Sequence, residues 1–230
     1  MLNAESFLGT DSTQPATTQV FGVSGSGKTE FVKRMIQLGN TSTKLPEYYR
    51  TIVFDIKHAG YSNLGNVVYD MPSLKKNMKK ERTTIIHPPD LDSSHEFLKE
   101  VIEYLFHLAQ SIEEFGATLV IEESSTYIKS TVNGVPPHVQ RLATQGRELG
   151  LGMILVNQRT LNSKWTDTQT RRIVFFRLPI PDLFMTERRW GIDSEYMNMR
   201  LMDRKFSFAI FDLEDLTTRY IEPLKIQPTP

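Results

Sequence analysis

Gly22-Val23-Ser24-Gly25-Ser26-Gly27-Lys28-Thr29 decides how this chain reads. The stretch fits the pattern G-x-x-x-x-G-K-[ST] of a phosphate-binding loop, which arises by chance in roughly one chain in two hundred of this length. Its surroundings therefore matter. Thr17 to Val23 is rich in β-branched and apolar residues, while Phe31, Val32, Met35, Ile36 and Leu38 mark one face of a helix ending near Gly39-Asn40. Strand, glycine loop and helix thus follow in the order the loop's chemistry needs. Gly22, Gly25 and Gly27 let the backbone fold so that successive N–H groups point inward, and the helix N-terminus adds partial positive charge. Lys28 would reach the β- and γ-phosphates of a nucleotide, and the Thr29 hydroxyl would ligate a bridging Mg2+. All eight residues are candidate nucleotide ligands.

Outward from the loop, the same alternation continues. Thr51 to Asp55 is a second buried strand with a carboxylate at its end, and Thr83 to Ile86 a third. Ser93 with Glu96 forms a capping box, after which Phe97, Leu98, Val101, Ile102, Leu105, Leu108, Ala109 and Ile112 predict a helix running to about Phe115. Gly116 breaks it, and Thr118 to Ile121 is a strand ending in Glu122-Glu123. A loop over 125–137 precedes a helix from about His138 to Leu149 and a strand from Met153 to Val156. Ile173 to Phe176 is another strand, 182–203 is helical with a break near Gly191, and Phe206–Asp212 with Thr217–Ile221 forms a terminal hairpin. The expectation is an α/β fold, a mostly parallel sheet with helices on both faces and a C-terminal antiparallel hairpin. Residues 1–16, rich in Ser, Thr, Gln and Pro, read as a flexible arm, and 17–230 as a single domain.

Composition narrows the classes. The 230 residues carry 27 basic and 27 acidic side chains and no cysteine, so disulfide scaffolds, thiolate metal sites and thiol nucleophiles are excluded. No apolar run approaches the ~20 residues of a membrane-spanning helix, and the N-terminus lacks a secretory pattern, which makes the cytosol the default expectation. Zero net charge argues against a uniformly basic nucleic-acid binder, so any such contact must be local. The charge is uneven, however. Asp90 to Thr126 holds nine acids against Lys99 alone, whereas Gln140 to Lys205 holds twelve Lys or Arg against seven acids. The five histidines show no i, i+4 pair, which disfavours a transition-metal site.

A phosphate loop alone does not distinguish a motor from a kinase or a switch. Glu122 and Glu123 add information, because ligands of open α/β sheets sit at the carboxyl edge, where these two acids end an apolar strand. Glu122 could hold a magnesium-bound water, and Glu123 could orient or deprotonate an attacking water. Gln158 ends the next apolar strand, where a neutral amide can contact the γ-phosphate or that water. Arg147, Arg159, Arg171 and Arg172 flank these strands, and one or more could neutralise transition-state charge, within this chain or from a neighbour.

Taken together, the phosphate loop, Ile52-Val-Phe-Asp-Ile-Lys57, Leu119-Val-Ile-Glu-Glu123 and Gly146-Arg-Glu-Leu-Gly-Leu-Gly-Met-Ile-Leu-Val-Asn-Gln-Arg159 resemble the FtsK/HerA superfamily of P-loop ATPases, RecA-like in fold. The resemblance spans about Val20 to Phe176. It implies ATP as nucleotide, Gln158 as γ-phosphate sensor, Arg172 or Arg171 as an arginine finger offered to an adjacent subunit, and a phosphate-sensing role for Arg147. One departure is that Glu122 stands where the family usually has Asp, while Glu123 keeps the catalytic-base position. The short chain looks most like the genome-packaging ATPases of tailless, internal-membrane, double-stranded DNA viruses. That likeness implies a homo-oligomeric ring, a hexamer by family, which pumps duplex DNA into a preformed capsid. It also implies partners at the capsid vertex or portal, room for peripheral membrane contact, and residence in host cytoplasm and virion. Lys129, in the loop after the acidic pair, is the candidate DNA contact. The alternatives are a cellular or plasmid DNA translocase, or a nucleotide-gated structural protein of a capsid vertex that does not hydrolyse ATP.

Overall fold

The structure, a computed structural model, describes residues 17–58, 60–128, 134–160 and 164–223, with the side chains at 164 and 165 left aside. The expected arm over 1–16 lies outside the described residues. β1 (Thr17–Phe21) delivers the chain directly into the glycine loop, and α1 (Lys28–Thr41) follows it. Then come β2 (Tyr49–Phe54), β3 (Asn66–Val68), α2 (Met71–Met78), β4 (Thr83–Ile86), α3 (Leu91–Ser111) and β5 (Gly116–Ile121). α4 (Pro137–Gln145), β6 (Leu151–Asn157), α5 (Lys164–Thr168), β7 (Thr170–Phe175), α6 (Ile180–Trp190), α7 (Ser194–Asp203), β8 (Phe208–Asp212) and β9 (Thr217–Ile221) complete the order.

Among the described residues the strands form one nine-stranded sheet in the order β3-β4-β2-β5-β6-β1-β7-β8-β9. The seven strands from β3 to β7 run parallel, and β8 and β9 add the antiparallel hairpin expected from the sequence. β1 therefore lies between β6 and β7, and the β5 end carrying the acidic pair lies one strand further out.

Side-chain alternation explains why the central strands read as continuous apolar runs: both faces are buried. Val20, Val53, Val120, Ile154 and Val156 point to the face covered by α1, meeting Phe31, Val32, Met35 and Ile36. Ile52, Phe54, Leu119, Ile121, Met153 and Leu155 point to the opposite face, against Phe97, Leu98, Val101 and Leu105 of α3 and Val139 and Leu142 of α4. On that same face Phe21, Ile173, Phe175 and Phe211 pack with Leu183, Met197 and Leu201 of α6 and α7. Each such large apolar side chain, fully buried, contributes on the order of 1.5–3 kcal/mol.

Several boundaries differ from expectation. The cap of α3 is Asp90, whose carboxylate accepts from the Ser93 amide at 2.7 Å, so the helix begins before the expected Ser93–Glu96 box. It also ends earlier, at Ser111, because Ile112 turns extended (φ −121°, ψ 118°) before Gly116 is reached. The expected helix over His138–Leu149 is divided into α4 and a 3-10 turn, Gly146–Leu149. β3 and α2 carry too little periodic apolar signal to be expected: β3 has three residues, and α2 buries only Leu74 and Met78. Asp70 caps α2, and Lys75 and Lys76 sit in its last turn.

Candidate nucleotide site

The glycine loop is held from both ends. Phe176 donates its amide to the Phe21 carbonyl (2.8 Å) and Val23 donates to the Arg177 carbonyl (2.9 Å), tying the loop to the exit of β7. That anchorage brings Phe176 so close that a Cβ on Gly22 would lie 2.6 Å from the Phe176 Cβ. Only glycine fits there. Lys28 is buried and folds over the loop, its ammonium donating to the carbonyls of Gly22 (2.6 Å) and Val23 (3.0 Å). Burial lowers its pKa from the usual lysine range, and Glu122 and Glu123 partly restore it.

Glu122 is buried at the end of β5, with its amide bonded to the Phe54 carbonyl (3.1 Å). The phenol of Tyr61 donates to its Oε1, and Thr29 lies beside the same phenol. Burial raises the Glu122 pKa, opposed by the Tyr61 hydrogen bond and reinforced by buried Asp55 at the end of β2. Asp55 faces His87 at 3.6 Å, and the His87 ring stacks on His58 at 3.9 Å. Thr29, Tyr61 and Glu122 thus assemble hydroxyl, phenol and carboxylate oxygens. Hard oxygen donors with few carboxylates suit Mg2+, which takes its remaining ligands from phosphates and water.

Glu123 is the more accessible acid. Its backbone is left-handed (φ 49°, ψ 47°), a conformation that costs a non-glycine residue about 1–3 kcal/mol and persists only where neighbours impose it. Asn157 braces the turn that follows Glu123, donating to the Ser124 hydroxyl and accepting from the Ser125 amide, both at 2.7 Å. Lys57 forms a 2.7 Å ion pair with Glu123, and the Gln158 amide lies 3.5 Å from the same oxygen. The structure therefore brings the loop lysine, both acids and Gln158 to one edge. Lys57, Tyr61 and Asn157 join them without having been singled out from the sequence. The only available signal was position, since Lys57 and Asn157 lie at or just beyond the ends of buried strands.

The arginines separate. Arg159 pairs with buried Asp182 (3.1 Å), and Arg172, itself buried, pairs with Asp212 across the β7–β8 ladder (3.1 Å). Arg171 points elsewhere: it meets exposed Glu214 (2.8 Å) and lines a cleft of about 490 Å³ together with Arg147, Thr17, Asp167 and Gln169. That cleft opens at the amino ends of β1, β6 and β7. It is separated from the glycine loop by the length of β1, about 13 Å for four steps along a strand. Lys129 lies outside the described residues.

No family model matches the chain, and no curated protein sequence does either. Solved structures do resemble it. The genome packaging NTPase B204 from Sulfolobus turreted icosahedral virus 2, in complex with ATP-gammaS, superposes with a TM-score of 0.73 at 17 % identity, over 91 % of this chain and 98 % of that one. VirB4 of Thermoanaerobacter pseudethanolicus gives 0.66 at 8 % identity, covering 92 % and 90 %. The N-terminal domain of zonular occludens toxin from Neisseria meningitidis gives 0.51 at 12 % identity, covering 93 % and 96 %. At these identities the likeness concerns the fold alone, which is the mostly parallel α/β sheet with a C-terminal antiparallel hairpin expected from the sequence and shared with P-loop NTPases.

Proposed function

We propose that this chain hydrolyses ATP between the Gly22–Thr29 loop and Glu123, and that it uses the energy as a ring oligomer to drive duplex DNA into a viral capsid. The carrying observation is the convergence on one Glu123 oxygen of Lys57 (2.7 Å) and Gln158 (3.5 Å), beside a preformed phosphate loop. The fold shared with a viral genome packaging NTPase, itself solved with ATP-gammaS and AMPPCP, supports the choice of substrate and task.

In this reading Lys28 leaves the loop carbonyls for the β- and γ-phosphates. Thr29 and Glu122 are the residues that would hold Mg2+, which when bound supplies positive charge to the phosphates. Gln158 orients a water against the γ-phosphorus. Glu123 takes the proton as the water oxygen bonds to phosphorus and the bond to ADP breaks. Lys57 holds Glu123 in position until the phosphate competes for its ammonium. Arg171 and Arg147 face away from their own loop, so their contribution goes to a neighbouring subunit's nucleotide. Of the two adjacent finger candidates Arg171 is the accessible one, since Arg172 is bound within the sheet. Exposed apolar side chains on α6 and α7, Ile180, Phe184, Met199 and Met202, offer a contact surface for such a neighbour.

ATP turnover with and without duplex DNA at low salt, for wild type, Lys28→Ala and Glu123→Gln, tests this. Turnover stimulated by DNA in the wild type and lost in both variants is expected. Hydrolysis indifferent to DNA would refute the motor, and a Glu123→Gln protein as fast as wild type would refute the assigned base.

A further inference from the structure

The reading of the glycine loop as a triphosphate site leaves open where the nucleoside lies, and the sheet order constrains it. Glu123 and Gln158, which face the γ-end, come from the exits of β5 and β6, both on one side of β1. A triphosphate laid across the loop with its γ-phosphate toward them must send its α-phosphate and sugar the other way, toward β7 and β8. On that side a cleft of about 310 Å³ opens against the loop, lined by Gly25, Ser26, Arg177, Arg204, Lys205 and Phe206.

Three features of this cleft point to a nucleoside. Phe206 has φ +70°, an unfavourable conformation for a bulky side chain. That backbone carries its ring onto the loop, where a Cβ on Gly27 would lie 3.2 Å from the ring edge. An aromatic face is therefore held, at a conformational cost, beside the start of the phosphate-binding helix. Arg177, exposed at its side chain, is anchored to the loop through its own carbonyl, which accepts from Val23 (2.9 Å). Arg204 and Lys205 add cationic donors, with the Lys205 ammonium 4.9 Å from the Phe206 ring centre. Finally, the Ser26 hydroxyl is buried at the loop side of the cleft and has no hydrogen-bond partner among the described residues.

We propose that this cleft holds the base and ribose of the nucleotide, with the base stacked on Phe206 and the Arg177 guanidinium and Ser26 hydroxyl meeting the sugar and α-phosphate. Aromatic stacking accepts any base through its π-face and is sequence-tolerant for that reason. The proposal rests on the triphosphate reading above, and its test separates the two. Dissociation constants for ATP, ADP and inorganic tripolyphosphate are measured in magnesium buffer for the full chain, for Phe206→Ala, Phe206→Trp and Arg177→Ala, and for Lys28→Ala. Phe206→Ala is expected to weaken ATP and ADP about tenfold and leave tripolyphosphate unchanged, and Phe206→Trp to retain nucleotide affinity. Arg177→Ala, at an exposed side chain, is expected to weaken both nucleotides several-fold, and Lys28→Ala to weaken all three ligands. Equal weakening of ATP and tripolyphosphate in Phe206→Ala, or no weakening of ATP in either cleft variant, overturns the nucleoside site while leaving the phosphate loop intact. A wild-type protein that binds neither ATP nor tripolyphosphate overturns the loop reading and this one with it.

Discussion

Two neighbouring glutamates in one strand exit face different environments. Glu122 is buried against Tyr61 and Asp55, while Glu123 turns outward in a left-handed conformation to meet Lys57 and Gln158. Because burial raises the Glu122 pKa above its ordinary 4.5, the native state binds more protons than the unfolded chain between the two values. By linkage, stability then falls as pH rises through that window. Glu122→Gln keeps an oxygen to accept from Tyr61 but carries no charge. Its stability relative to wild type is therefore expected to increase from pH 4 to pH 8, as read by urea denaturation. A difference that does not change with pH would show that Glu122 pays no desolvation penalty.

At the scale of elements, the decisive contact joins the exit of β5 to that of β6. Asn157 closes β6 and makes two side-chain bonds to the turn that carries Glu123. Removing it leaves the Ser125 amide and Ser124 hydroxyl without these partners, and two lost bonds of this kind cost about 1–3 kcal/mol in stability. Asn157→Ala is expected to lose that much and, more tellingly, to lower kcat at least tenfold with little change in the KM for ATP. Both of these side-chain bonds go to the turn. A variant losing stability but not kcat would make Asn157 a packing residue only. The sequence made Glu123 and Gln158 legible at this scale, since each ends an apolar strand. Asn157 looked like the last residue of such a strand and nothing more.

For the whole molecule, the sheet places the glycine loop and the Arg147–Arg171 cleft at opposite ends of β1. A chain built this way cannot bring Arg171 to its own nucleotide without breaking the sheet, so the proposed finger acts between subunits. Lys28→Ala and Arg171→Ala proteins are each expected to lose at least a thousandfold in kcat. Mixed in equal amounts, they should regain activity at roughly a quarter of the sites, those pairing an intact loop with an intact neighbouring arginine. Mixtures no more active than their components would exclude a shared site.

Strand, loop and helix at Thr17–Thr41, the acidic end of β5 and the terminal hairpin followed from the sequence alone, because glycine spacing and apolar periodicity are local properties of a chain. Tertiary structure decided the rest. Tyr61 meets Glu122, Lys57 meets Glu123 and Arg172 meets Asp212 across separations of 61, 66 and 40 residues. These partnerships depend on strand order, which places β2 beside β5 and β7 beside β8. The same order sorted four similar arginines, burying Arg172, pairing Arg159 with Asp182, and leaving Arg147 and Arg171 to face a second cleft. Local periodicity carries no information about which strands become neighbours, so the environment that distinguishes one charged side chain from the next exists only once the sheet is assembled.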